Sequence, residues 1–276
     1  MKRREIDLDV VRQKYYIDCL SQDQIAKQLN VSQWVISNRI NVAGLERLSR
    51  TRKLNPRKYS INHYAFDHLN GKTSWLLGWM ASDGFVRPNS RLGLKVAAKD
   101  RDIVLKFKQH LSHSGPIYNK VQRLESMKKD YKLVSIEVSS SRIAQKMADF
   151  GIIPNKSLVL TYPLLIARSD ENIERSFIRG VFEGDGSILI EKERSLLFQI
   201  VGTYKLCLGV QQALIRYVKV GETKLTNNIR GRNHYALRYR GRYQVLKIVN
   251  WIYKNAGKNV LNRKYSKYLE LKRKFS

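Results

Sequence analysis

Two nine-residue stretches limit most strongly how this chain can fold: LLGWMASDG at residues 76–84 and IRGVFEGDG at 178–186. Each closes an apolar, helix-like run on Asp-Gly, and the two aspartates, Asp83 and Asp185, lie 102 positions apart (185 minus 83). The residues after each aspartate correspond as well. After Asp83 come strand-like residues 85–98, a helical RDIVLKFKQHL, an alternating YKLVSIEVSS and a helical SRIAQKMADFGI. After Asp185 come strand-like residues 187–201, a helical YKLCLGVQQALI, YALRYRGR and a helical YQVLKIVNWIYKNAG. The chain reads as an α+β duplication in which helix, two strands, helix, two strands, helix occurs twice.

The placement of the aspartates is electrostatically odd. A helix C-terminus carries about half a negative charge from its unpaired carbonyls, so a carboxylate there is repelled. Each helix also has small residues four apart, Gly78 with Ser82 and Gly180 with Gly184, which clear one face. A partner backbone can then come closer than the usual 8 to 10 Å or so between axes. If the two helices pack through these positions, both aspartates and both negative helix ends meet, and something positive must join them. One Asp-Gly would mark only a turn. Two of them, closing matched helices, suit a hard divalent cation such as Mg²⁺ or Mn²⁺, with water and substrate phosphate completing the shell.

Charge names the partner. The chain holds 52 Lys and Arg against 23 Asp and Glu, a net +29; such a single-sign excess attracts a phosphate-rich polymer. Residues 201–276 contain only two acids, Glu222 and Glu270, against eighteen basic residues, whereas residues 1–50 carry nine basic and six acidic. A membrane surface is the competing partner for a basic protein and is not expected here, since apolar runs such as Leu158–Ala167 fall short of the roughly 18 residues a spanning helix needs. The start, MKRREIDLDV, has no apolar secretory core, and Cys19 and Cys207 are too few for a disulfide framework. These features predict a cytoplasmic location, in a prokaryotic, phage-encoded or organellar setting.

With those residues in view, the chain resembles the LAGLIDADG homing endonucleases in their two-motif monomeric form, over roughly residues 65–276. The resemblance implies two pseudo-symmetric αββαββα halves, packed through the motif helices, with Gly78, Ser82, Gly180 and Gly184 at the interface. It implies that the last acid of each motif, Asp83 and Asp185, binds the catalytic metals, with Gly84 and Gly186 at the same sites. The sixth motif position, acidic in the family name, is Ala81 in one motif and Glu183 in the other; it is not the metal ligand. The family also places basic residues near each centre, from the segment leading into the last helix of each half. Here those segments read IIPNKS, with Lys156, and LNRKYS, with Arg263 and Lys264. Their similar distances from Asp83 and Asp185 make Lys156 and Lys264 the candidate catalytic cations, one per half. The implied reaction is hydrolysis of one phosphodiester on each strand of duplex DNA.

Each half should contribute an antiparallel sheet with one face on helices and the other on DNA. In RLGLKV, Leu92, Leu94 and Val96 alternate with Arg91 and Lys95; in HYALRYRGR, Tyr235, Leu237 and Tyr239 alternate with Arg238 and Arg240. Lys120, Gln122 and Arg123 in the first half, and Arg230 and Arg232 in the second, sit where hairpin loops would extend the surface, and Gln199 is a further candidate contact. The N-terminal LSQDQIAKQLNVSQWVISNRI looks like a helix-turn-helix, with Ser21 and Ser32 capping helices at 22–29 and 33–40. Its apolar set is Ile25, Ala26, Leu29, Val31, Val35 and Ile40, and its second helix would offer Gln33, Trp34, Ser37, Asn38 and Arg39 to a groove.

The expected organisation is therefore a helix-turn-helix domain at 1–45, a basic linker at 46–62, and two halves at 63–168 and 169–276. The expected activity is that of a monomeric, site-specific double-strand DNA endonuclease that needs no protein partner. Two alternatives stay open: a DNA-binding regulator without cleavage, and an RNA-binding intron maturase, whose partner would be intron RNA. An intein is disfavoured, since the chain does not begin with Cys or Ser or end in His-Asn.

Overall fold

A computed structural model describes residues 6–18, 20–44, 59–124, 129–190, 195–227 and 232–275. Most of the predicted linker and candidate residue Arg230 lie outside the described residues. The chain divides into two compact units, Met1–Ser60 and Ile61–Ser276.

In the first unit, helices α1 (Leu8–Arg12), α2 (Gln22–Leu29) and α3 (Gln33–Val42) enclose a small core of Val11, Tyr15, Ile25, Ala26, Ile36 and Ile40. Ser21 and Gln24 form a reciprocal capping box at the start of α2. Asn30 ends it in the left-handed conformation, φ 51°, which turns the chain within two residues. Ile36 takes the core position predicted for Val35, which is only half-buried: with α3 beginning at Gln33, Ile36 and Ile40 lie four apart on one face.

In the second unit the order is α4 (Gly71–Ala81), β1 (Gly84–Val86), β2 (Arg91–Ala97), α5 (Arg101–His110), β3 (Tyr118–Leu124), β4 (Lys129–Ser139) and α6 (Ser141–Asp149). After the short α7 (Leu164–Ala167) it repeats as α8 (Glu171–Asp185), β5 (Gly186–Ile190), β6 (Leu196–Gly202), α9 (Tyr204–Val218), β7 (Thr226–Asn227), β8 (Tyr235–Arg240) and α10 (Arg242–Tyr253). A last helix, α11 (Asn262–Phe275), closes the second half. Each half carries a four-stranded antiparallel sheet, ordered β1-β2-β4-β3 and β5-β6-β8-β7. This is the predicted architecture: two αββαββα halves of α+β class. One difference lies at Lys120, Gln122 and Arg123, expected in a hairpin loop; they stand in a regular strand that pairs along β4 from Tyr118 opposite Ser135 to Leu124 opposite Lys129.

One apolar core runs through both halves. The sheets enclose it with alternate residues, Leu92, Leu94 and Val96 on β2 against Val134, Ile136 and Val138 on β4, and Phe198 and Ile200 on β6 against Leu237 and Tyr239 on β8. Helix α4 is buried from Thr73 to Ala81, as a helix must be if it is apolar on all sides. Asn70 caps it by accepting from Lys72 N and Thr73 N, both at 3.0 Å. Asp170 caps α8 by accepting from Ile173 N at 2.9 Å. No described helix is long and apolar enough to cross a membrane.

Candidate active site

The two motif helices, α4 and α8, cross at their small residues. A Cβ added to Gly78 would come within 2.8 Å of Gly180 Cα, and one on Gly180 would run into the carbonyl of Trp75. Further along, a Cβ on Gly184 would run into Ser82 and sit 3.2 Å from Asp83 Oδ2. The four residues named from the sequence therefore lie together, and backbone touches backbone. Glycine after each aspartate has its own cause. At Gly84 and Gly186 the chain leaves the helix and turns back into a strand, so close that a Cβ would lie 2.6 Å from Met80 O or Phe182 O respectively.

The environment of Asp83 and Asp185 is set by this crossing. Burial raises the Asp83 carboxyl to about 6, with the charge of Asp185 as the second cause. Asp185, which is exposed at the surface, is also raised, because the surrounding protein displaces part of the water around its carboxylate. Among the described residues, no group donates a hydrogen bond to either carboxylate. Two lysines answer the negative helix ends. Lys156 Nζ donates to Ser82 O at 3.0 Å, and Lys264 Nζ donates to Phe182 O at 2.9 Å and Gly186 O at 2.6 Å. Burial lowers both ammonium groups, Lys264 to about 8.

Each lysine is anchored on its own half but faces the carboxylate of the other. A cleft of ≈ 370 Å³ is lined by Asp83 together with Lys264 and Lys267, and a second, of ≈ 240 Å³, by Asp185 together with Lys156 and His234. The charge effects agree: among the cations, Lys264 weighs most on Asp83 and Lys156 most on Asp185. The sequence gives one lysine per half, and the structure adds which carboxylate each one faces. The lysines also do not precede a helix in both halves. Lys264 is the third residue of α11, whereas Lys156 opens a single tight turn, Lys156–Leu158. Arg263, beside Lys264, is held by Asp100 through two hydrogen bonds of 2.8 and 3.0 Å, which ties α11 to the first half.

Two functional supports escaped the sequence. Glu183, fully enclosed, accepts from Trp75 Nε1 at 2.7 Å and from Leu261 N at 2.9 Å. The sixth motif position thus joins α4, α8 and the segment that leads to Lys264. Arg179 is 2% exposed and donates to Asn259 O at 2.9 Å and Ile252 O at 3.1 Å; burial lowers its guanidinium to about 10. An arginine inside a motif helix could have signalled this, since an uncompensated buried charge is costly.

The proposed surface residues divide. On the outward face of the first sheet stand Arg91, Lys95, Lys120 and Gln122 by strand parity, with Arg91 Nε 2.8 Å from Glu137 Oε1. Arg123, opposite Asp130, falls on the other face of the β3–β4 hairpin. In the second sheet Gln199 faces Arg238 directly, accepting from its Nε at 2.7 Å, and Arg240 stands two residues on. Arg232 is exposed. In the first unit Gln33, Trp34 and Asn38 are exposed, Trp34 by 70%, while Ser37 and Arg39 are half-buried.

No family model matches the chain. It is 26% identical over 165 residues to an uncharacterized protein of Methanocaldococcus jannaschii, 57% of this chain and 59% of that one. Among solved structures it is similar to full-length DUF199/WhiA from Thermatoga maritima (TM-score 0.47, 17% identity), over 76% of this chain and 62% of that one. It is also similar to the I-LtrWI LAGLIDADG homing endonuclease bound to target DNA (TM-score 0.48, 11% identity), over 75% and 90%. The chain thus spans less than two thirds of the curated relative and of WhiA, and its solved neighbours include both a homing endonuclease and WhiA.

Proposed function

We propose that the chain is a site-specific double-strand DNA endonuclease that uses divalent cations held by Asp83 and Asp185. The observation that carries this reading is the pair of carboxylates at crossed helix ends, Asp83 half-buried and Asp185 exposed, both raised in pKa and without hydrogen-bond donors among the described residues. Such a pair is costly by itself. It fits a hard cation, and no group of three or more His, Cys, Asp or Glu among the described residues offers one a fuller set of protein ligands. Ligands beyond the two aspartates would then come from water and substrate phosphate, the usual habit of Mg²⁺. A cation bound there would activate water and offset charge on the attacked phosphate.

The chain's own groups serve the same step. Lys264 beside Asp83, and Lys156 beside Asp185, each place a positive charge at one cleft, where it favours the extra charge of the transition state over the ground state. Two clefts allow two strands to be cut. The outward sheet faces, and the first unit's α3 as the second helix of a helix-turn-helix, supply the duplex contacts; the net charge of +29 favours such a partner.

Cleavage of plasmid carrying a selected target tests the reading. Asp83→Asn or Asp185→Asn should abolish double-strand breaks while duplex binding persists; a double-strand cut at wild-type rate by either variant overturns the assignment. The separate N-terminal helical unit, with Gln33, Trp34 and Asn38 exposed on α3, favours a second reading: a regulator that binds DNA without cutting, for which no variant would alter DNA integrity.

A further inference from the structure

Both candidate lysines ride on segments that the opposite half holds in place, and the two grips differ in chemistry. The segment that carries Lys156 is held by neutral groups: Asn233 Nδ2 donates to Leu158 O at 2.8 Å, and Thr203 Oγ1 donates to Leu160 O. The start of α11, which carries Lys264, is held by charge from the first half. Asp100 accepts from Arg263 Nε at 2.8 Å and Nη2 at 3.0 Å. Asp102, in the first turn of α5, accepts from Asn262 N at 3.0 Å, and Lys106, one turn on, donates to Val260 O and Asn262 Oδ1.

Asp100 is the member of this grip that bears most directly on Lys264. It stands at the N-cap of α5, where an aspartate ordinarily accepts from the first turn of its own helix, yet its side chain makes no cap bond there. Both oxygens are turned instead to Arg263, the residue next to Lys264. A carboxylate and a guanidinium joined by two bonds fix orientation as well as distance, and Asp100 is only 8% exposed, so water competes little on its side of the pair. The tip of Lys264 rests on Phe182 O and Gly186 O of its own half; the backbone that carries it is set by the other.

Resting on the nuclease reading, we propose that Asp100 is a positioning residue for one strand cut only. Through Arg263 it fixes the first turn of α11 and so aims Lys264 at the phosphate in the Asp83 cleft. The Lys156 segment, held by neutral groups, does not depend on it.

The test is single-turnover cleavage, resolved by strand, with Mg²⁺ and saturating full chain on a selected duplex target. Asp100→Ala should slow the strand cut at Asp83 by about tenfold to a hundredfold, the scale expected of a misplacement of about 1 Å, with the strand cut at Asp185 at wild-type rate. A group that acts only through Lys264 adds nothing once that lysine is gone, so Asp100→Ala combined with Lys264→Met should cut as Lys264→Met does alone. If Asp100→Ala does not fold, Arg263→Gln removes the same pair from its exposed side and should show the same strand bias. Equal slowing of both strands, unchanged rates on both, or a double variant slower than Lys264→Met overturns the proposal and leaves the nuclease reading standing. No cut of either strand by wild type overturns both.

Discussion

At the scale of single residues, the aspartates sit where an ionised carboxyl costs the cation-free fold stability. Asp83 titrates at about 6 in the folded chain against an ordinary value of 3.8. A raised carboxyl pKa adds stability below about pH 4, and that contribution is lost as pH climbs through 6. In chelator, Asp83→Asn should therefore be more stable than wild type at neutral pH, by on the order of 2 kcal/mol, and the gap should close as pH falls from about 6 to about 4. Thermal melts across that range would show it, and a variant less stable than wild type at neutral pH would mean the carboxylate already has a partner. The crossed lysines make a kinetic prediction. Lys264→Met should slow the strand cut at Asp83, and Lys156→Met the strand cut at Asp185, each by about a hundredfold or more, so that nicked DNA accumulates on opposite strands. Equal slowing of both strands in either variant contradicts separate clefts. The placement of the aspartates and glycines was legible because it depends on a local turn and a helix face, both of which leave a periodic mark. Which carboxylate each lysine faces was not legible, because sequence distance relates a lysine only to its own half, whereas the helix crossing turns it toward the other. Arg179 left a signal as a charge inside a motif helix, but the partners of Arg179 and Glu183, namely Ile252, Asn259 and Leu261, were not legible because they lie some seventy to eighty positions away.

At the scale of elements, the crossing of α4 and α8 is the joint on which both clefts depend. Gly180→Ala should destabilise the chain by about 1 to 3 kcal/mol through collision with the Trp75 carbonyl, although alanine favours a helix over glycine by about 1 kcal/mol. Urea unfolding would measure it; an unchanged or raised midpoint would mean the helices stand further apart. Glu183→Gln keeps an acceptor for only one of Trp75 Nε1 and Leu261 N, and should cost about 1 to 3 kcal/mol by the same measurement. Helix and strand order came out of periodicity because most elements are amphipathic. Strand β3 did not: YNKVQRL is too polar to announce a strand, and its order comes from the partner, the eleven-residue β4. In the first unit, the shift from Val35 to Ile36 arose because one residue of helix phase decides which of two adjacent apolar side chains is inside.

At the scale of the whole molecule, a net charge of +29 makes binding strongly salt-dependent. A surface that neutralises six to ten phosphates should lose about 10³- to 10⁵-fold in affinity between 50 and 200 mM salt, and a binding titration that is flat in salt would rule out a phosphate-dominated contact. Removing residues 1–45 should weaken binding yet leave cutting intact at saturating protein; loss of all cutting there would show that the first unit takes part in the chemistry. The duplication, the charge and the separate N-terminal helices were legible from repeats and composition alone. How the proposed DNA contacts would divide between the sheets and those helices was not, since Lys and Arg serve phosphate and base alike. The central claim is that two carboxylate centres cut both strands at one sequence. It is tested most directly by incubating the full chain with a duplex library that includes its native flanking DNA, with Mg²⁺ or with chelator, and sequencing the broken ends. Staggered ends at a single sequence, present only with Mg²⁺, are the predicted result; tight binding with no broken ends under either condition would contradict the nuclease and leave a DNA-binding regulator.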